Sequence, residues 1–407
     1  MAVFQAGTKI SWTHIRNTAT VWGALCLCGL MVAPVHAEES PCSAAQEALK
    51  EASRIRGLPS KGEVPCFVRS RDDVEQFLRE LIRKKYPPHK LAMEELVFRA
   101  VGLIPDDYEY QNGIIEAYVG QIGGYYDPDK KHFVVVQSIP RSLQRVVAIH
   151  ELTHALQDQY YDLNRFLDPK IEDGDESLAH AAVTEGDANL VMQEALRADR
   201  QSGKVMPNFL EDSGNQEDQP PLPEALQEML LFPYEEGLRF VRAVQKKGGL
   251  KAREKLFQKP PRSTREIVHP DEFMKGTAPF DIPTDAEVLD GRDVRKGLYS
   301  DTLGEFGIAT ILGTENLGPR TASEAARGWR GDRAVVIRAK EGVSEVIWLS
   351  QWDTVQDAKQ FLTAYRALLQ KKYPGSGDAM SMQLSQSKSV SMEMQGRSVL
   401  IAVSLRE

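Results

Sequence analysis

The sequence predicts an α+β fold, in which a mainly helical body with one β-hairpin is followed by a small β-β-α-β-β module. Apolar residues recur at helical spacing over much of residues 44–247, whereas strand-like segments predominate after residue 334. With 407 residues, 42% hydrophobic and 27% charged, the chain is long enough for roughly two or three globular domains. The formal net charge of −8 argues against a nucleic-acid partner, because an acidic surface repels phosphate groups.

Residues 1–37 have the features of a secretory signal peptide. Two basic residues precede an apolar run, Val21 to Val32, which is too short to span a bilayer, and Val35-His36-Ala37 resembles a signal-peptidase site. A lipoprotein signal is the alternative, but Leu27 stands where that signal has a small residue. We therefore predict cleavage before Glu38, a secreted or periplasmic location, and no membrane span in the mature chain.

Two cysteines, Cys42 and Cys66, remain after the predicted cleavage. An exported protein folds in an oxidising compartment, so we predict a disulfide between them. The bridge would lie in a helical N-terminal segment, residues 38–112. Apolar spacing predicts three helices in this segment, at residues 44–56, 71–85 and 90–103.

The central part of the chain, residues 113–318, begins with a predicted β-hairpin. Asp127-Pro128-Asp129-Lys130-Lys131 supplies a turn between two apolar segments, of which the second is Phe133–Val136. Ser138 as N-cap and Pro140 in the first turn predict a helix that runs to about Leu163. Further helices are predicted at residues 176–199, 223–231, 233–247 and about 301–312, with a flexible loop or lid at 203–223 and an irregular, proline-punctuated stretch at 259–294.

The C-terminal part, residues 319–407, is predicted to form the β-β-α-β-β module. A helix at residues 355–371 separates two pairs of strand-like segments. These segments are Ala334–Arg338, Glu345–Ser350, Ser389–Met394 and Ser398–Ser404.

One segment, Val147 to His154, contains the pattern H-E-x-x-H. Residues i and i+4 lie on the same face of a helix, so His150 and His154 can bind one metal ion. Glu151 would then reach a water molecule on that metal. This pattern is typical of zinc sites, so we predict a bound Zn²⁺. The alternative is a pair of partly buried histidines with ordinary hydrogen-bond partners.

A catalytic zinc ion needs a third protein ligand and an open position for water. The residues after His154 lack the third histidine of H-E-x-x-H-x-x-G-x-x-H, which excludes the metzincin class. Glu185 is the candidate, because it lies on an otherwise apolar helical face, where a carboxylate is costly unless it is paired or binds a metal. His180 is the rival ligand, but it points off this face.

His150-Glu151-x-x-His154 with a helix-borne Glu185 resembles the gluzincins, the thermolysin-like zinc metallopeptidases. Within that superfamily the chain is similar to a group of secreted bacterial proteins with H-E-L-T-H-A-L-Q-D-Q and E-G-D-A helices. The resemblance spans about residues 64–370 and implies a zincin-like catalytic domain at 113–318. The interval between His154 and Glu185 is longer than in typical gluzincins.

Gluzincins often place an aspartate four residues after the third ligand, but this chain has Asn189 there. The residue that orients His150 is therefore open between Asn189, Asp187 and Asp158.

The resemblance implies hydrolysis of a peptide bond in a peptide or protein substrate. Glu151 would accept the proton of the attacking water and pass it to the leaving amine. Tyr234 and His269 are the candidates for the donor that stabilises the oxyanion. The hairpin at residues 118–137 could bind an extended peptide along its edge.

Two other functions stay open from the sequence. One is a zinc amidohydrolase that acts on a non-peptide amide. The other is a zinc-stabilised envelope binding protein with little or no hydrolase activity, in which the C-terminal module binds the partner. The sequence predicts no oligomeric state, and it leaves open whether residues 38–110 are removed to activate the protein.

Overall fold

The computed structural model describes residues 40–85, 88–120, 123–168, 173–202, 222–278, 280–291, 297–315, 318–340, 342–377 and 379–406. The predicted signal peptide and nearly all of the predicted loop at 203–223 lie outside these residues. Across the described ranges, no helix combines the length and the apolarity needed to cross a bilayer.

The chain contains many helices and two groups of strands, which confirms the predicted α+β class. The helices are α1 (Ala45–Arg56), α2 (Arg71–Lys85), α3 (Pro88–Val101), α4 (Tyr110–Gly120), α5 (Arg141–Tyr161), α6 (Leu163–Phe166), α7 (Gly174–Gln201), α8 (Glu224–Lys255), α9 (Thr264–Val268), α10 (Pro270–Lys275), α11 (Asp285–Leu289), α12 (Gly304–Gly313), α13 (Pro319–Ala326) and α14 (Val355–Lys372). The strands are β1 (Cys66–Arg69), β2 (Gly124–Asp127), β3 (His132–Val136), β4 (Gly297–Asp301), β5 (Trp329–Lys340), β6 (Val343–Trp352), β7 (Ser381–Gln383), β8 (Lys388–Gln395) and β9 (Ser398–Arg406).

Within the described residues the strands form two sheets. The smaller has the order β1-β3-β2, with β1 parallel and β2 antiparallel to β3. The predicted hairpin is therefore confirmed, and Asp127 closes its turn by accepting hydrogen bonds from the amides of Asp129 and Lys130. This arrangement leaves β2 at the edge of its sheet.

The larger sheet is antiparallel and has the order β4-β5-β6-β9-β8-β7. It contains the predicted β-β-α-β-β module, extended by the edge strands β4 and β7. The helix predicted at about 301–312 begins only at Gly304, because Asp301 is the last residue of β4. The predicted strand Ala334–Arg338 was also too short. The observed strand β5 begins at Trp329, and Asp332 and Arg333 pair with β6.

Two predicted helices, at 223–231 and 233–247, are continuous through Pro233 within α8, so their separation there was wrong. The backbone leaves helical geometry only at Gly249 (φ 66°), close to the predicted end at 247. A proline inside a helix costs about 3 kcal/mol, because it removes a hydrogen bond and crowds the preceding turn. Phe232 and Phe240 are buried in one core cluster with residues of α7 such as Val183. This packing maintains α8 across the proline.

Several helix boundaries also differ from the predictions. Pro140 takes the N-cap position of α5 that was predicted for Ser138. Helix α4 was not predicted. The stretch 259–294, predicted to be irregular, contains the short helices α9, α10 and α11.

The N-terminal segment and the C-terminal sheet share one hydrophobic core. Val97 and Val101 of α3 belong to the same buried cluster as Trp348 of β6 and Phe361 of α14. The ammonium group of Lys388, on β8, is buried against the end of α3 and donates to the carbonyl oxygen of Arg99 at 2.6 Å. Helix α3 is therefore an integral part of the C-terminal core.

The predicted disulfide between Cys42 and Cys66 is present and joins the start of the N-terminal segment to β1. From there α1 packs along α5, where Ala48 and Ala52 share a core cluster with Leu152 and Ala155. The bridge therefore tethers α1 to the sheet that lies next to α5.

Replacing Cys42 and Cys66 together by serine should lower the free energy of unfolding by about 3 kcal/mol. The bridge joins residues 24 positions apart, and its loss enlarges the conformational entropy of the unfolded chain. Urea denaturation of the oxidised protein, the reduced protein and the double variant measures the effect. Equal midpoints for all three would contradict the prediction.

Candidate metal centre

The three residues predicted to bind the metal meet in the interior of the protein. His150 and His154 come from α5 and Glu185 comes from α7, and their ligand atoms all lie within 4.8 Å of one another. The Nε2 atoms of the histidines are 3.1 Å apart, and Glu185 Oε2 lies 3.1 Å from the first and 3.4 Å from the second. We call these residues the His-His-Glu cluster.

The spacing and chemistry of the His-His-Glu cluster fit a zinc ion. Ligand atoms about 2.0–2.1 Å from a tetrahedral zinc are separated from one another by roughly 3.3 Å. The relative exposure of the two histidines is 0% and that of Glu185 is 5%, so the three ligand atoms are shielded from solvent. Two imidazoles and one carboxylate are also the donor set of known catalytic zinc sites.

Burial and mutual contact set the protonation of the cluster. Burial is the main cause that lowers the pKa of His150 and favours its neutral form. Burial raises the pKa of Glu185, but the field of His154 and hydrogen bonds with both histidines outweigh it and bring this pKa down to about 2. A neutral imidazole at His150 and an ionised carboxylate at Glu185 are the forms in which these two groups bind a metal.

Helix α7 presents Glu185 at a close crossing with α8. A Cβ atom on Gly186 would lie 2.2 Å from the carbonyl carbon of Gly237, and one on Gly237 would lie 2.1 Å from the oxygen of Ala182. Only glycines allow this approach of the two backbones. The crossing brings Tyr234 of α8 beside His150, with ring centroids 6.3 Å apart.

Glu151, the predicted base, is fully buried on α5 next to the hairpin. Its Oε2 accepts a hydrogen bond of 3.0 Å from the backbone amide of Tyr126. Tyr126 lies on the edge strand β2, and this amide points away from β3 and towards α5. The carboxylate is therefore held beside the strand edge.

The three residues left open for the orientation of His150 have different partners. Asn189 acts on His150, whose pKa it raises, and its side-chain amide donates to the carbonyl oxygen of Tyr234. Asp158 instead binds the hairpin, through the hydroxyl of Tyr126 and the ammonium of Lys131. Asp187 contacts Gln157, which lies 2.8 Å from Nδ1 of His154.

The other histidines singled out from the sequence have contacts elsewhere. His180 lies with Nδ1 3.1 Å from the carbonyl oxygen of Phe166 and Nε2 3.8 Å from Glu176, so it does not belong to the His-His-Glu cluster. His269 pairs with Glu305 of α12, at 2.6 Å. Of the two candidate oxyanion donors, Tyr234 is therefore the one that the structure places against a cluster residue.

The sequence analysis did not identify three buried residues that hydrogen bonds connect to the cluster: Gln157, Arg56 and Arg253. Gln157 lies one helical turn after His154, so its position could have been noticed from the spacing. Arg56 and Arg253 both contact Asp187 but come from distant parts of the chain, and no local pattern identifies them.

Comparison with known proteins identifies one domain. A model for a domain of unknown function, DUF8575, matches residues 293–406, which include the six-stranded sheet and α14. The match does not extend to the His-His-Glu cluster. No curated protein and no solved structure matches the chain.

Proposed function

We propose that the protein is an exported zinc-dependent metallopeptidase with a zincin-like catalytic domain. One observation carries the proposal: two imidazole nitrogens and a carboxylate oxygen converge within 4.8 Å beside a further buried carboxylate, Glu151. Three ligands leave a fourth position for water, as catalytic zinc sites require. The Cys42–Cys66 bridge is compatible with export.

His150 and His154 would bind the zinc through Nε2, and Glu185 would bind it through Oε2. When bound, zinc acts as a Lewis acid and lowers the pKa of its water to about 7. A helix turns by about 100° per residue, so Glu151 flanks the ligands instead of joining them. Its carboxylate accepts a proton from the attacking water and returns it to the leaving amine.

The edge of β2 supports a peptide as the substrate. Because the amide of Tyr126 points away from β3, Gly124, two residues earlier, presents its backbone groups on the same outer side. An extended peptide would add to this edge as a further strand at Gly124, because the amide of Tyr126 already donates to Glu151. Its scissile carbonyl would then lie near Glu151, which accepts the hydrogen bond from this strand.

The main test is zinc content and casein hydrolysis by the mature protein, residues 38–407. We expect one zinc per chain, loss of hydrolysis on chelation, and recovery when zinc is restored. Zinc without peptide hydrolysis, together with cleavage of small non-peptide amides, would favour the amidohydrolase alternative. Stoichiometric zinc with no hydrolysis of either class would favour the binding protein.

Replacing Tyr234 by phenylalanine should reduce kcat by roughly 10²-fold, because the hydroxyl would donate to the oxyanion. The ring, and with it the contact with His150, would remain. Zinc content should therefore stay at the wild-type value. Steady-state kinetics with a fluorogenic peptide measures the effect.

The variant His269→Gln is the matched control for Tyr234→Phe. His269 pairs with Glu305, so this substitution should leave kcat close to the wild-type value. A large loss of kcat in His269→Gln, with Tyr234→Phe unaffected, would reverse the assignment of the oxyanion donor.

A further inference from the structure

Behind His154 lies a buried polar network that the proposed mechanism does not use. Gln157 Oε1 lies 2.8 Å from Nδ1 of His154. On its other side, Gln157 Nε2 lies 2.8 Å from Oδ2 of Asp187 and 3.0 Å from the carbonyl oxygen of Thr184. The side chain of Gln157 therefore bridges a candidate metal ligand and a buried carboxylate.

Two arginines hold Asp187. Arg56 Nε donates to Asp187 Oδ2 at 2.8 Å, and Arg253 donates through Nε to Oδ1 and through Nη2 to the backbone oxygen. The relative exposure of all three residues is 0%. We call Arg56, Gln157, Asp187 and Arg253 the Asp187 network.

The donors and acceptors of this network determine the orientation of Gln157. Asp187, ionised between two guanidinium groups, can only accept hydrogen bonds, and so can the carbonyl oxygen of Thr184. The amide NH₂ of Gln157 must therefore face these two acceptors, and its oxygen must face His154. An acceptor at this position requires a proton on Nδ1 of His154, which leaves the lone pair of Nε2 directed into the cluster.

We infer that Arg56, Asp187 and Arg253 are positioning residues that act through Gln157 to hold His154 in its metal-binding tautomer. The inference rests on the proposed metal site. Partners of this kind commonly orient metal-binding histidines, and their loss typically costs about 10- to 100-fold in metal affinity.

The network also gives the N-terminal segment a role at the site. Arg56 is the last residue of α1, which is tethered by the Cys42–Cys66 bridge and packs on α5. Removal of residues 38–110 would leave Asp187 with only one of its two buried cations. We therefore expect this segment to stay in the active protein instead of being removed as an inhibitory propeptide.

The decisive experiment compares the wild type with Asp187→Asn and Gln157→Met. Asparagine can donate as well as accept, so in Asp187→Asn only the carbonyl oxygen of Thr184 still requires the amide NH₂ of Gln157. Methionine removes the amide and leaves Asp187 and its arginines in place. NMR of ¹⁵N-histidine-labelled, metal-free protein reports the tautomer of His154, and competition with a chromogenic chelator reports zinc affinity.

We expect Nδ1 of His154 to be protonated in the wild type and the Nε2-protonated tautomer to be populated in both variants. Zinc affinity should fall by about 10- to 100-fold. Arg56→Gln should change both readouts in the same direction, and Arg56→Lys should partly restore them. Arg54→Gln is the matched control, because Arg54 lies on the same helix but is exposed.

A purely structural network would lower stability without changing the tautomer. If folded Asp187→Asn and Gln157→Met keep the wild-type tautomer and the wild-type zinc affinity, the inference is overturned. A wild-type protein that binds no zinc would contradict the proposed function instead. The tautomer measured in metal-free protein would still decide the role of the network.

Discussion

Glu151→Gln is expected to reduce turnover by about 10²- to 10⁴-fold while the protein keeps its zinc. Glutamine has nearly the same shape as glutamate, and its amide oxygen can still accept the hydrogen bond from the amide of Tyr126. It cannot accept the proton of an attacking water at neutral pH. The loss should therefore appear in kcat, with little change in KM.

The measurements are zinc content by atomic absorption and kinetics with a fluorogenic peptide. Glu176→Gln is a suitable control, because Glu176 lies near a histidine, His180, that is outside the His-His-Glu cluster. Loss of zinc in Glu151→Gln would show that Glu151 is a ligand. Wild-type turnover in a zinc-loaded variant would show that another group is the base.

The parts of the site that were predicted from the sequence depend on short-range geometry. His150 and His154 lie on one face because a helix repeats about every 3.6 residues. Glu185 was found because a carboxylate on an apolar face needs a partner. The Cys42–Cys66 bridge followed from the number of cysteines and the predicted compartment.

The parts that were missed depend on tertiary contacts. Arg56 and Asp187 are 131 residues apart, and Asp187 and Arg253 are 66 apart, so no local pattern connects them. The continuity of α8 across Pro233 has a similar cause, because burial of the neighbouring aromatic residues opposes a local preference for a break. Sequence spacing thus predicts which residues form the His-His-Glu cluster, but not which residues hold them in place.

Glu185→Ala and His150→Ala should each remove the zinc, and this is the largest effect that we expect. Each variant takes one of three ligands from a buried site, so the affinity should fall by more than the roughly 10- to 100-fold typical of an outer partner. Glu185→Ala also removes the negative charge that lies between the two imidazoles. Hydrolysis should be lost together with the metal.

His180→Ala is the matched control for these two variants. His180 is a buried histidine of α7, but its ring contacts Phe166 and Glu176 and lies outside the His-His-Glu cluster. We expect His180→Ala to keep one zinc per chain even if its stability falls. If Glu185→Ala keeps stoichiometric zinc with unchanged affinity, Glu185 is not the third ligand. Loss of zinc in His180→Ala as well would then assign that position to the rival histidine.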